Sequence, residues 1–238
     1  MSSYHFDFSL IFQEKYAQLI FSGLITTLEL SALSCVFAFF LGLNIAVVNL
    51  SRFRLLRFCA QCYLEFFRNT PLLVQLFFWY FGSYKILPNF LNTWLNHLNF
   101  EFVAALIALT VYTSAFIAED IRSGILSIPK EQMEAARSSG FSYLSAMHRI
   151  ILPQAVRFTI PPLINQFLNL TKNSSMAMVI GVAELTYQAR QIESQTFKSF
   201  EAFFAATFIY VSLSFFITIL INWYDKKILN PMGKGRTS

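Results

Sequence analysis

Lys172 stands near the middle of an otherwise apolar run, in the stretch LNLTKNSSMAM at 168–178. An ammonium group inside hydrocarbon is costly, so such a residue pairs with carbonyls or a carboxylate, or it lines a polar pathway. Read as a helix, the segment sets Asn165, Asn169, Lys172 and Met176 on one face through steps of four, three and four. Asn173 lies beside them, and Ser175 belongs to the same polar cluster. The opposite side carries Leu163, Phe167, Leu170 and Met178. Two roles stay open for Lys172: holding helices together, or meeting the negative charge of a solute. The second is preferred, because an ionisable residue in a membrane span is functional by default.

Other groups offer less chemistry. Arg68, Thr70 and Gln75 stand in FFRNTPLLVQLFF, where Pro71 removes a backbone donor and disturbs the helical ladder. Glu65 and Arg68 are spaced i, i+3 and can pair. An anchoring or structural role is preferred for Arg68 over solute contact. Glu119 and Asp120 precede Arg122, which predicts a local ion-pair network. Cys59 and Cys62 have the CxxC spacing of zinc or redox sites, but a structural zinc site takes four ligands and no second pair is near. They read as two thiols where a membrane helix begins. His5, His97 and His148 are far apart, and no nucleophile–base pair stands out. No catalytic residue, no metal site and no enzyme are expected.

The elements that must position these groups are membrane spans. Of 238 residues, 55% are hydrophobic and 13% charged, with 28 phenylalanines and a mean hydropathy of +0.51. Soluble domains carry about 25% charged residues. A span takes about 20 apolar residues, and five are expected: about 20–48, 63–84, 101–121, 159–182 and 202–223. Trp223 and Tyr224 close the last at an interface. The N-terminus MSSYHFDFSL lacks a basic region and a cleavage site, so no cleavable signal of the usual form is expected.

Five spans put the termini on opposite sides. One side would hold Arg52, Arg54, Arg57, Arg122, Lys130, Arg137, Arg149, Arg157, Lys226, Lys227, Lys234 and Arg236. The other would hold only Lys15, Lys85, Arg190 and Lys198. The positive-inside rule then places residues 1–19 outside and 224–238 in the cytoplasm. It also accounts for the net charge of +5 without nucleic acid. The loop 122–158 is cytoplasmic on this reading. Pro129 and Gly140 bracket a short helix at 130–139, and Ser142 caps a second one running to a break at Pro153. A docking surface and a structured linker both fit the loop.

The residues here are distinctive. Glu134-Ala135-Ala136, three residues, Gly140, nine residues, then Ile150-x-Leu152-Pro153 resembles the EAA loop of the membrane subunits of bacterial ABC importers. The stretches FFRNTPLLVQLFFWYFG (66–82), ILPQAVRFTIPPLINQF (151–167) and TKNSSMAMVIGVAELTYQARQ (171–191) resemble polar-amino-acid permeases of that group. The resemblance runs from about Gly23 to Tyr224. It implies an all-α membrane protein with type I ABC importer permease architecture, in the bacterial inner membrane, its permease domain at 20–223. The EAA helix would be a coupling helix in a groove of a separate ATPase subunit. The small Ala135 and Ala136 would allow close approach, Glu134 would meet a basic residue or helix N-terminus, and Gly140 would turn the chain.

The resemblance implies further partners: a second permease subunit, like or unlike, and an external solute-binding protein, with 184–200 as the best contact candidate beside an ordinary amphipathic connection. No cofactor is expected on this chain. ATP with Mg would be hydrolysed by the partner, since GxxxxGK[ST] is absent and the C-terminal GKGRTS has the wrong order. Many relatives read Lys-Asp-Ser-Ser where this chain reads Lys172-Asn173-Ser174-Ser175. RNTP with TKNSS most resembles the glutamate/aspartate-type permeases. Without the neighbouring acid the pathway keeps a positive charge, which suits a solute with an extra carboxylate. Glutamine or basic amino acids are the alternative solutes, and a secondary transporter the alternative class.

Overall fold

Long apolar stretches leave the backbone no partner but itself, and they fold as long helices. The computed structural model describes residues 6–82 and 99–224, with side chains to Ile219. Among these residues every regular element is helical: α1 (Glu14–Asn49), α2 (Arg54–Asn69), α3 (Leu72–Phe77) with a π turn Phe78–Gly82, α4 (Phe100–Leu126), α5 (Lys130–Ser138), α6 (Tyr143–Ala146) with a π turn Met147–Ile151, α7 (Leu152–Asn173) with a 3-10 turn Ser174–Ile180, α8 (Leu185–Thr196) and α9 (Ser199–Tyr224). A 3-10 turn at Phe8–Phe12 precedes them. Among the described residues, three helices are long and apolar enough to cross a membrane: Glu14–Asn49, Phe100–Leu126 and Ser199–Ile219. They leave Phe21, Phe40, Val47, Phe208 and Phe215 exposed, as lipid-facing side chains can be.

The second and fourth expected spans are built from pieces. The second starts earlier than 63, at Arg54, and breaks at Thr70, whose backbone is extended ahead of Pro71. Pro71 has no N–H, so carbonyls of the preceding turn lose a donor. Gln75, buried, supplies one: its Nε2 donates to Phe67 O at 3.0 Å and Thr70 O at 3.1 Å. The fourth is α7 up to Asn173, then a 3-10 turn that stops at Gly181, φ +94.

Pro153 does not break the chain. The π turn before it lets Leu152 N–H reach Met147 O, five residues back. That shift of register takes up the missing donor, and the helical path runs on from α6 through α7.

The chain divides into two compact units. The first is drawn from the described parts of Met1–Leu33, Leu76–Ile107 and Leu170–Ser238. Its core joins Ile20 to Leu185, Ala189 and Ile192 of α8 and to Ala202 and Ala206 of α9. Gly23 permits this: a Cβ there would stand 2.9 Å from Leu185 Cα, backbone that cannot yield. Thr27 Oγ1 then accepts the Leu185 N–H at 3.1 Å. Glu184, fully buried, caps α8 by accepting from Thr186 N and Tyr187 N, and Tyr210 OH donates to it at 2.7 Å. Burial pushes this carboxyl up, and those hydrogen bonds oppose the shift. Glu184→Ala orphans the Thr186 and Tyr187 N–H groups and takes from Tyr210 OH its nearer acceptor. It should cost about 2–4 kcal/mol and lower the apparent Tm in nanodiscs by about 5–10 °C.

The second unit is Ser34–Gln75 and Ala108–Asn169. Ala38, Ala46, Leu64, Ala115, Ile117, Ala118 and Ile121 form its core. Small residues bring α1 and α4 together; a Cβ on Gly42 would come within 2.8 Å of Ser114 O. Tyr63 OH donates to Val111 O at 3.0 Å and so fastens α2 to α4.

Candidate functional site

The expected loop helix is present as α5, Lys130–Ser138, with Pro129 just ahead of it. Its end is a full Schellman closure: Gly140 N–H bonds Arg137 O, and Phe141 N–H bonds Ala136 O, both at 3.1 Å. Gly140 sits at φ +88, in the left-handed region where a side chain is penalised. Ser142 then caps α6 by accepting from Ser145 N.

The faces of α5 separate its residues. Glu134 and Ala135 are exposed, but Ala136 is 5% exposed. Of the two alanines, only Ala135 is free to face a partner; the small size of Ala136 is used inside its own loop. Beneath α5, Ile128, Ile151 and Ala155 form a small core that Met133 and Met147 cover. Gln154 Nε2 donates to Gln132 Oε1 at 2.6 Å and to Ile150 O at 2.8 Å. α5 is thereby tied to α7 by packing and by a side-chain bridge that the sequence reading missed. Two glutamines 22 residues apart give no local signal.

α7 carries the polar face. Asn165, Asn169 and Lys172 are all exposed along one unbroken helix, while Leu170 and Thr171 are buried. Lys172 makes no hydrogen bond or ion pair to the described residues. Asn173 is half-buried and ends the helix. Ser175 Oγ donates to Lys172 O at 2.7 Å, and Ser174 Oγ to Thr171 O at 2.8 Å. These hydroxyls satisfy carbonyls of the last turn, so Ser175 contributes to the turn that ends α7.

The groups around the break in α2 have mostly structural partners. Thr70 Oγ1 donates to Phe66 O at 2.7 Å, and Gln75 clamps the break. The Glu65–Arg68 pair that the spacing offered does not form. Glu65 accepts from Asn69 Nδ2 at 2.8 Å, and the Arg68 guanidinium lies over the Phe116 ring, 5.7 Å from its centroid. Asn69 is one turn on, at i+4, and the aromatic face holds the guanidinium without a carboxylate. Glu119 does pair with Arg122, through two bonds of 2.9 and 2.6 Å. Asp120 instead accepts from Gln166 at 2.8 Å. Cys59 and Cys62 lie on the exposed apolar side of α2 with Leu55, Phe58 and Phe66.

Comparison with known proteins agrees with this geometry. Residues 18–230 match the family model described as binding-protein-dependent transport system inner membrane component. The probable glutamine ABC transporter permease protein GlnM of Bacillus subtilis (strain 168) is 44% identical over 87% of this chain and 91% of its own length. The glutamate/aspartate import permease protein GltJ of Escherichia coli (strain K12) is 31% identical, over 92% and 91%. A crystal structure of an amino acid ABC transporter with histidines superposes with a TM-score of 0.85 at 35% identity, covering 94% of this chain and 100% of that one.

Proposed function

The chain belongs to the binding-protein-dependent transport system inner membrane components, and we propose that it is the membrane-spanning permease subunit of an ATP-driven importer of polar amino acids. It is a multi-pass protein of the inner membrane, nearly all helical, with the type I ABC importer permease fold. The five crossings, the external N-terminus and the cytoplasmic 224–238 tail belong to the proposal and rest on the distribution of Lys and Arg.

The observation that carries the mechanism is the tie between α5 and α7. A partner ATPase gripping Glu134 and Ala135 would move α5 as a body. The Gln132–Gln154 bridge and the Ile128–Ile151–Ala155 core would pass that motion to α7. α7 carries Asn165, Asn169 and Lys172, which would line the pathway with a second permease subunit opposite. Lys172 would meet the solute carboxylate, and the asparagine amides would supply donors and acceptors without a fixed charge. On the outer side, the exposed Arg190, Gln195 and Phe197 around α8 would receive the solute-binding protein. ATP and Mg would stay on the partner.

For the solute, the Lys172-Asn173 pair favours a dicarboxylic amino acid, because no acid stands beside the lysine. Glutamine is the second reading, favoured by the 44% identity to a permease named for it. Proteoliposomes holding this chain, its partner permease and ATPase, with the binding protein outside, decide between them. ATP-dependent uptake of labelled glutamate is expected. Uptake of glutamine or arginine alone would keep the importer and discard the acidic solute; uptake driven only by an ion gradient would discard the importer.

A further inference from the structure

A second polar surface lies within the Ser34–Gln75 and Ala108–Asn169 unit, apart from the residues assigned above to the pathway. On α2, Arg57, Gln61, Glu65 and Arg68 follow steps of four, four and three, a polar stripe on one face, and all four are exposed. Opposite them on α4 stand Glu119 and Arg122. Together they line a cavity of about 530 Å³, inside the range of about 300–1,000 Å³ typical of small-molecule sites.

The charges in this cavity are unequally committed. Glu119 and Arg122 neutralise each other through their two bonds. Glu65 uses one carboxylate oxygen on Asn69 and has the other free of hydrogen bonds to the described residues. Arg68 is held over Phe116 and forms no salt bridge among the described residues, but its charge acts at longer range on Glu119 and Asp120. The Arg57 side chain has no hydrogen bond or ion pair among them. The Arg57 guanidinium therefore faces the cavity uncommitted, and the Arg68 fork and one Glu65 oxygen keep hydrogen-bonding capacity to spare. Their complement is a ligand with two carboxylates and one ammonium. Guanidinium is suited to it, since its planar fork takes a carboxylate through two parallel bonds.

We propose that this cavity is a second amino-acid site, selective for a dicarboxylic amino acid and open to the cytoplasm. It rests on the importer reading for its orientation and solute class. A phosphatidylglycerol phosphate also seeks arginine at the cytoplasmic surface, but it brings no ammonium for Glu65, whose charge would repel it. Such a site would fill as the amino acid accumulates inside.

The test is equilibrium binding of labelled glutamate to the assembled transporter in nanodiscs, without ATP or external binding protein. Saturable binding is expected, retained in Lys172→Ala and weakened about tenfold or more in Arg57→Gln. Arg57→Lys should recover part of it, and glutamine should compete poorly. Arg57 is exposed, so these variants keep the fold. Binding that Arg57→Gln leaves unchanged, or that Lys172→Ala abolishes, overturns the proposal. So does an Arg57→Gln effect seen only as altered stabilisation by phosphatidylglycerol, with no glutamate bound, which would mark a headgroup site. If Arg57-sensitive binding persists where no ATP-dependent uptake occurs, the cavity stands and the importer reading falls.

Discussion

Lys172→Ala is expected to lower ATP-dependent uptake by about ten- to a hundredfold, the worth of a hydrogen bond to a charged group. Its ammonium is exposed on α7, in line with Asn165 and Asn169, and has no partner among the described residues. Removing it leaves no buried group orphaned, and surface changes of that kind stay within about 0.5 kcal/mol. Stability should hold while transport falls, and thermal melts beside uptake assays check both. A lysine that only joined helices would show the reverse pattern, a loss of stability. Lys172→Arg keeps the charge and should keep part of the uptake. If the solute is dicarboxylic, the alanine variant should lose more on glutamate than on glutamine. Unchanged uptake with an unchanged solute profile would remove Lys172 from the pathway.

What could be read from sequence divides along physical lines. The α5 turn was legible because local chemistry decides it: Pro129, Gly140 and Ser142 each act within one turn of themselves. The expected 130–139 became Lys130–Ser138, and Gly140 took its positive φ. The Lys172 face was legible because helical period alone puts Asn165, Asn169 and Lys172 in line. The second span was read less well. Hydropathy averages over a window, and α2 has an apolar stripe of Leu55, Phe58 and Phe66 beside its polar one. The average hides a helix start at Arg54. Pro153 misled for a different reason: a proline breaks a ladder of fixed register, and here the register shifts by one residue just before it.

Side-chain partners were the least legible, because each was settled by a neighbour distant in sequence. Glu65 and Arg68 had the spacing to pair, yet Phe116 on α4 holds the arginine. Gln75 was a candidate for the pathway or for a structural role, and in the fold its amide donates to the carbonyls beside the break at Pro71. Nothing in the local pattern distinguishes a glutamine that lines a path from one that replaces a missing donor.

The two alanines of α5, the helix proposed to meet the ATPase, give the second strong expectation. They are adjacent in sequence, so a strip 100° apart on the helix separates them, and the structure puts Ala135 outside and Ala136 in. Ala135→Trp should leave the Tm of the isolated chain nearly unchanged, since its side chain meets no core. It should nevertheless cut ATP-dependent uptake more than tenfold and weaken co-purification of the ATPase, because an interface packed backbone-close has no room for an indole. Ala136→Trp should instead overpack the buried face of α5 and cost about 1–3 kcal/mol or more, read as a lower Tm. If Ala135→Trp uncouples transport while the chain still melts normally, the exposed face of α5 is the surface on which the ATPase acts. Full activity in Ala135→Trp would mean that the partner grips elsewhere on the loop, and the exposed Tyr143 and Leu144 of α6 would be the next residues to change.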